Sequence, residues 1–295
     1  MNQTATNWHD YECIDAGNKE KLERWGDIIL RRPDPQVLWP IYNEDQAWLK
    51  PHARYHRSKS GGGHWEFMKK LPEHWTVNYG DLRFKVAPTG FKHTGLFPEQ
   101  AANWDFMMRQ ISQADREIRV LNLFAYSGGA TMACAKAGAE EVVHVDASKG
   151  MVAWAKENMR LSNLGDRKIR FIVDDVLKFV AREKRRGRTY HAIIMDPPSY
   201  GRGPNGEMWK LEEQLIGLIE ACLDILDDHP LFFLVNSYTT GFSSTVLYNI
   251  LDHYLLNKYP NGIIEAGEMN LPITRTNTLL PCGIYGRWVK KLQLI

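Results

Sequence analysis

The chain has 295 residues, with 37 Lys plus Arg against 35 Asp plus Glu for a formal charge of +2, and it is 44% hydrophobic and 24% charged. Such a composition is globular and excludes a disordered chain, which would be poorer in apolar residues and further from neutral. No apolar run reaches the ~18 residues of a membrane span, residues 1–10 are too polar for a signal peptide, and Cys13, Cys134, Cys222 and Cys282 form no Cys-x-x-Cys pair, so a reducing cytoplasm is expected.

In chain order, residues 1–90 read as a small β-rich appendage. Short β-like pieces at 27–31, 36–41, 75–79 and 82–86 are broken by Pro33, Pro35, Pro40, Pro51, Pro72 and the glycines 61–63. Seven of the ten tryptophans (Trp8, Trp25, Trp39, Trp48, Trp65, Trp75, Trp104) fall in the first 104 residues. A helix is expected from Pro98, well placed at a first helical position, to residue 112. From there buried strands at 119–126, 141–147, 169–175, 190–196 and 231–238 alternate with helices at 129–136, 149–162, 175–186 and 210–226. That alternation predicts a doubly wound, mostly parallel α/β sheet occupying residues 91–295. A fifth helix at 244–257 is followed by segments 263–268 and 278–289, readable as a terminal hairpin.

The first strand of the sheet runs through Asn122-Leu123-Phe124-Ala125-Tyr126-Ser127 into Gly128-Gly129 and a helix, a turn at which the backbone can approach a ligand. The second strand ends at Asp146-Ala147, where a carboxylate can accept hydrogen bonds from a ribose diol. The third ends at Asp174-Asp175-Val176, placing Asp175 for an adenine amino group. Singly, each has a structural reading as a turn or a helix cap; together at this spacing they favour a bound nucleoside. Gly128-Gly129-Ala130-Thr131-Met132-Ala133 lacks the Gly-x-Gly-x-x-Gly of dinucleotide folds, and no Walker A loop is present. The surviving candidate is S-adenosylmethionine, a nucleoside without phosphates, ahead of a nicotinamide oxidoreductase.

The fourth strand ends Asp196-Pro197-Pro198-Ser199-Tyr200. Two prolines hold the backbone extended and remove two donors, leaving carbonyls to accept hydrogen bonds. With Asp196 beside them and Tyr200 to stack on a planar base, this forms an acceptor pocket for an amino group. Residues 94–238 resemble a class I S-adenosylmethionine-dependent methyltransferase, and specifically the ribosomal RNA large-subunit methyltransferase group with an Asp-Pro-Pro-x-aromatic motif. Thr94-Gly95-Leu96-Phe97-Pro98-Glu99-Gln100 is similar to that group's Thr-Gly-Phe-Phe-Leu-Asp-Gln segment. The resemblance implies cofactor contacts from Thr94, Gly95, Glu99, Gln100, Phe124, Tyr126, Gly128, Gly129, Asp146, Ala147, Asp175, Val176 and Asp196, and from Asn122, which stands where the group commonly has Asp. It implies catalytic roles for Asp196, Pro197, Pro198 and Tyr200. Residues 1–90 do not look like the RNA-binding modules usual in that group.

Methylation at cytosine C5 needs a thiolate. The fourth motif has none, and the sixth, Asn236-Ser237-Tyr238-Thr239-Thr240-Gly241, carries Tyr238 where a Cys would sit. Cys282 is the remaining candidate and reads better as a small buried hydrophobe. A nitrogen or oxygen acceptor is therefore expected in RNA, ribosomal RNA favoured, the alternatives being a small molecule, a protein, or cytosine C5 through Cys282. A non-catalytic RNA-binding protein on the same fold is a further rival.

Two windows, 50–70 and 178–188, each carry net +5. The first interleaves Arg54, Arg57 and Lys59 with Tyr55, Trp65 and Phe67, as an RNA groove requires. The second, Lys178 to Arg188, reads as a solvated helix face. Expected substrate contacts are Arg54, Arg57, Lys59, Trp65, Tyr200, Arg202, Ser237 and Tyr238. His52 and His56 lack supporting ligands, so no metal is expected. The glycine-rich stretch 201–206 reads as a mobile lid.

Overall fold

Four strands of largely buried residues organise the core of the larger unit, seen in a computed structural model that describes residues 1–58 and 62–291. The strands in chain order begin with β1 (Gln3–Thr4), β2 (Tyr11–Gly17), β3 (Glu20–Trp25), β4 (Ile28–Pro33), β5 (Ala53–Arg57), β6 (Gly63–Phe67), β7 (Trp75–Tyr79) and β8 (Leu82–Val86). They continue with β9 (Arg119–Leu123), β10 (Glu141–Asp146), β11 (Ile169–Val173), β12 (Ala192–Met195), β13 (Tyr200–Arg202), β14 (Met208–Lys210), β15 (Phe232–Ser237), β16 (Gly262–Ile273) and β17 (Thr278–Lys290). The helices are α1 (Gln46–Leu49), α2 (Ala101–Ser112), α3 (Gly129–Lys136), α4 (Lys149–Leu161), α5 (Val176–Arg185), α6 (Leu211–Leu223) and α7 (Ser244–Leu251).

Two units result. One comprises Met1–Gln3, Asn103–Met269 and the described residues from Gly283; the other comprises Thr4–Ala102 and Asn270–Cys282. The sequence suggested a boundary near residue 90; the chain crosses instead at 102/103, and β16 and β17 contribute to both units.

In the first unit the strand order is β11-β10-β9-β12-β15-β17-β16, with β9 to β12 and β15 parallel and β17 antiparallel to β15. The central parallel strands β9, β12 and β15, covered by helices on both faces, bury nearly all their side chains, which is why Val120, Leu121, Leu123, Ile193, Ile194, Phe232 and Phe233 read as apolar runs, whereas the edge strand β11 is only half-buried. Chain order reverses between β9 and β12. At such a switch point the following loops diverge and leave a crevice beyond the carboxyl ends of the strands.

The second unit is a sheet in the order β16-β2-β3-β4-β5-β6, with the separate hairpin β7–β8. Residues 36–41, expected as a strand, form turn and coil instead. Its tryptophans are structural: Trp25 and Trp48 are fully buried. Indole N–H groups clasp the backbone, from Trp8 to the Pro98 carbonyl (2.9 Å), Trp39 to Ala16 (2.8 Å) and Trp75 to Trp25 (3.0 Å). A buried charge hub completes it. The Glu23 carboxylate accepts from Arg32 Nε (2.6 Å), Arg32 Nη2 (2.8 Å) and Tyr11 OH (2.8 Å). Burial alone would raise its pKa, but Arg32 and Lys21 hold it down at about 2. Among the described residues no helix is long and apolar enough to cross a membrane.

Candidate active site

The loop after β9 is the least ordinary backbone in the first unit. Phe124 and Tyr126 are left-handed at φ 53° and 50°, and Gly128 follows at φ 85°. Each non-glycine residue held there costs on the order of 1–3 kcal/mol, so the surroundings must over-determine the shape. They do so through several bonds. Ala125 N–H donates to the Val145 carbonyl (3.0 Å), Gly128 N–H to Ala125 (2.9 Å), and the buried Asn158 amide of α4 to the Ser127 carbonyl (2.8 Å). A Cβ on Gly128 would lie 3.0 Å from Ala155 Cβ, and one on Gly129 only 2.5 Å from Trp104 Cζ2. Both glycines thus let the loop and α3 pack closely, whatever ligand they also admit.

Asn122, expected at the cofactor, is buried instead, and its amide donates to Thr131 Oγ1 (3.0 Å). Thr131 Oγ1 is 2.9 Å from His144 Nδ1. This polar trio therefore sits in the core behind the loop, joining β9, α3 and β10.

Asp146 closes the loop from the neighbouring strand. Its Oδ2 accepts from Tyr126 N (2.8 Å) and its Oδ1 from Ser148 N (2.8 Å). Desolvation raises its pKa and these two N–H groups oppose that. Two backbone donors aim the carboxylate while leaving lone pairs for further donors. Ala147 beside it is half-buried. Asp175 caps α5, its Oδ1 accepting from Lys178 N (3.0 Å). Val176 buries its side chain in the apolar core, so any ligand contact there is through the backbone.

Across the switch point, Met195 pairs with Leu123 and Asp196 N–H reaches the Leu123 carbonyl (3.4 Å), which sets the Asp196 motif beside the Phe124 loop. Pro197 is buried and Pro198 exposed. The expectation of free carbonyls needs correction at Pro198, whose O accepts from Trp209 Nε1 (2.7 Å); Ser199 O likewise accepts from Leu211 N (3.1 Å). Ser199 Oγ lies 2.7 Å from Thr239 Oγ1, and Thr239 N–H donates to Ser237 Oγ (3.2 Å), so the ends of β12 and β15 are stitched together. Ser237, expected at the substrate, is buried by this role. Tyr238 is partly exposed, and a Cβ on Gly283 would lie 2.8 Å from its ring.

The stretch 201–206 is not a free lid. It turns the β13–β14 hairpin, in which Tyr200 pairs with Lys210, Gly201 with Trp209 and Arg202 with Met208. Gly203 N–H donates to the Glu207 carbonyl (2.7 Å), and Glu207 pairs with Lys178. The missed signal was Asn205-Gly206, a turn dipeptide between short β-prone segments. Sequence reasoning also missed Trp209, whose ring packs on Phe124 (centroids 4.8 Å apart). No sequence signal marks the left-handed Phe124 and Tyr126.

The remaining expected residues belong to the second unit. Thr94 and the Glu99-Gln100 turn are buried there, and Gly95 has φ 92°. Arg54 is committed to Glu20 through Nε (3.1 Å) and Nη2 (3.2 Å), whereas Arg57 is exposed. Trp65 Nε1 donates to the Thr89 carbonyl (2.8 Å) and its ring meets Tyr55 edge-on. Lys59 lies outside the described residues. His52 and His56 flank and occupy a strand, where an i, i+4 pair is far apart; His52 Nδ1 accepts from Ile29 N, and His56 pairs with Glu66. Among the described residues no cluster of His, Cys, Asp and Glu could hold a metal. In the second basic window Lys178, Arg182, Lys184, Arg186 and Arg188 pair with Glu207, Asp174, Asp224, Glu183 and Glu141, the last two carboxylates being buried.

A family model described as S-adenosylmethionine-dependent methyltransferase matches residues 40–210. The crystal structure of the SAM-dependent methyltransferase from Agrobacterium tumefaciens is 35% identical, with a TM-score of 0.93 over 99% of this chain and 94% of that one. Among curated proteins, the ribosomal RNA large subunit methyltransferase K/L of Syntrophotalea carbinolica is 31% identical over 173 residues, 59% of this chain and 22% of that protein. The protein of the same name from Shewanella oneidensis is 36% identical over 132 residues, 45% of this chain and 17% of that protein. The chain thus matches about a fifth of the length of these curated relatives. With the parallel sheet, the switch-point crevice and the aimed Asp146, these matches close the question of family: the chain belongs to the S-adenosylmethionine-dependent methyltransferases, as a class I enzyme whose cofactor is S-adenosylmethionine.

Proposed function

We propose that this enzyme methylates a base in RNA, ribosomal RNA foremost, at a nitrogen rather than at cytosine C5. One observation carries the reading: the Asp196-Pro197-Pro198 segment beside the cofactor loop is followed by Tyr200, a 52% exposed ring, with no thiol in that unit's acceptor motifs. The names of the curated relatives support RNA as the substrate. Cys13, Cys134 and Cys222 are buried, and burial pushes the Cys282 thiol well above its ordinary range, disfavouring the thiolate that C5 chemistry needs.

The residues present fit the cofactor. Asp146, held by two backbone donors, would accept from the ribose hydroxyls, and Asp175 would accept from the adenine amino group through its remaining lone pairs. The loop 124–129 would pass close to the methionine portion. Thr94, Gly95, Glu99 and Gln100 are assigned to it by motif resemblance. Bound there, S-adenosylmethionine supplies an electrophilic methyl group. The chain's own task is then positioning: Asp196 accepts a hydrogen bond from the target N–H and so aims the nitrogen lone pair, while Tyr200 stacks on the base and sets its plane. Arg57 and Trp65 on the β5–β6 hairpin, with the exposed Phe67, are the second surface assigned to RNA.

The test is transfer of labelled methyl groups to total RNA and total protein from a strain lacking the gene, followed by nucleoside mass analysis. Label in a methylated nitrogen of an RNA base, lost with Asp196→Ala, is expected. Label in protein, or in 5-methylcytidine, would overturn the reading.

A further inference from the structure

Hairpin β13–β14 has two chemically distinct faces. Directly paired residues of an antiparallel ladder point to the same side, and alternate residues share a face. The register therefore puts Gly201 and Trp209 on one side, and Tyr200, Arg202, Met208 and Lys210 on the other. The first side is built in. Trp209 is 5% exposed, its ring lies on Phe124 and its Nε1 bonds Pro198 O, and a Cβ on Gly201 would lie 3.2 Å from Pro198 Cγ.

The second side is left in water with an unusual content. Tyr200 and Met208 are each 52% exposed. Arg202 is exposed and makes no ion pair among the described residues. Among the described residues Lys210 has one ion pair, with Glu213 (2.8 Å), and both side chains are about half-exposed or more, a pairing worth little against a competing anion. The one acid of the hairpin, Glu207, is engaged by Lys178 and by Asn205 N (2.9 Å). This face thus offers two cations, a ring and a polarisable thioether on a rigid support that continues the acceptor motif.

We propose that this outward face, Tyr200, Arg202, Met208 and Lys210, receives the single-stranded RNA flanking the target base. The inference rests on the RNA reading above. Arg202 and Lys210 meet phosphates, and Tyr200 and Met208 pack against unstacked bases, the combination that single-stranded nucleic acid binds. Because Trp209 locks the opposite face to Pro198 and Phe124, the platform and the acceptor motif keep a fixed relation.

The experiment is fluorescence anisotropy of a labelled oligouridylate with the full chain across a salt series, alongside calorimetry of S-adenosylhomocysteine. Arg202→Ala/Lys210→Ala should lower RNA affinity roughly tenfold or more and flatten the logarithmic salt slope by about 1.4, near 0.7 per lost phosphate contact. Met208→Ala should weaken binding several-fold without changing the slope, and Arg202→Lys should restore part of the affinity. S-adenosylhomocysteine affinity should not move in any variant, which also reports that each remains folded. A wild-type chain that binds oligouridylate no differently from the double variant overturns the platform and leaves the RNA reading standing. A wild-type chain that binds S-adenosylhomocysteine but no RNA, or prefers polyglutamate, overturns both.

Discussion

His144 is fully buried, with Nδ1 on Thr131 and an Nε2 that has no partner among the described residues. Burial drops its pKa from 6.5 to about 3. The unfolded chain takes up a proton below pH 6.5 while the folded chain refuses it until about pH 3, so stability is full above 6.5 and declines between these values. The decline amounts to roughly 4–5 kcal/mol at most. His93, lowered to about 4 by burial and by Arg32, Lys92 and Lys21, acts in the same direction. Urea midpoints at pH 7.5 and 5 should therefore converge in His144→Gln relative to wild type without becoming equal. An unchanged pH dependence would show that His144 is not held neutral. At this scale the place of Asp146 at the end of β10 was legible, because its distance from the glycine turn follows from strand and helix length. Asn122 and His144 were not, since the direction a buried side chain takes depends on partners, here Thr131, that are remote in sequence.

Among elements, the α3 start is the tightest fit. Gly129→Ala should cost about 1–3 kcal/mol by overpacking against Trp104, read as a lower urea midpoint, and Trp104→Phe in the same chain should recover part of it. Trp209→Phe should lower stability by only about 1 kcal/mol through the lost Pro198 bond, yet should weaken RNA binding, because the hairpin loses its tie to the acceptor motif. The parallel strands were legible because burial of the central ones leaves short, mostly apolar runs that alternate with helical patterns. β5, β6, β13 and β14 were not: each is short and partly exposed, β6 and β13 contain a glycine, and pairing rather than composition makes them strands.

Across the whole molecule, a formal charge of +2 hides unequal commitments. Both basic windows carry the same net charge in sequence, but that of 178–188 is spent on ion pairs, while Arg57 in the first window is exposed. Lys184→Ala/Arg186→Ala should therefore leave oligouridylate affinity within about twofold, surface pairs being weak, whereas Arg57→Ala should reduce both affinity and salt slope. Equal losses from both would show that diffuse charge governs binding. Sequence could count these charges but not see which carboxylates answer them, since Glu141, Asp224 and Glu207 are far along the chain.

Strands β16 and β17 serve both units, residues 270–273 and 278–282 in one and 262–269 and 283–290 in the other. Neither unit is therefore a contiguous length of polypeptide. During synthesis the first hundred residues can leave the ribosome long before the strands that complete their sheet, and must wait with an open edge until residues 270–282 have been made. Severing the chain at 102/103 would then yield two incomplete sheets rather than two domains, and exchanging the N-terminal unit for another would require carrying residues 270–282 along with it.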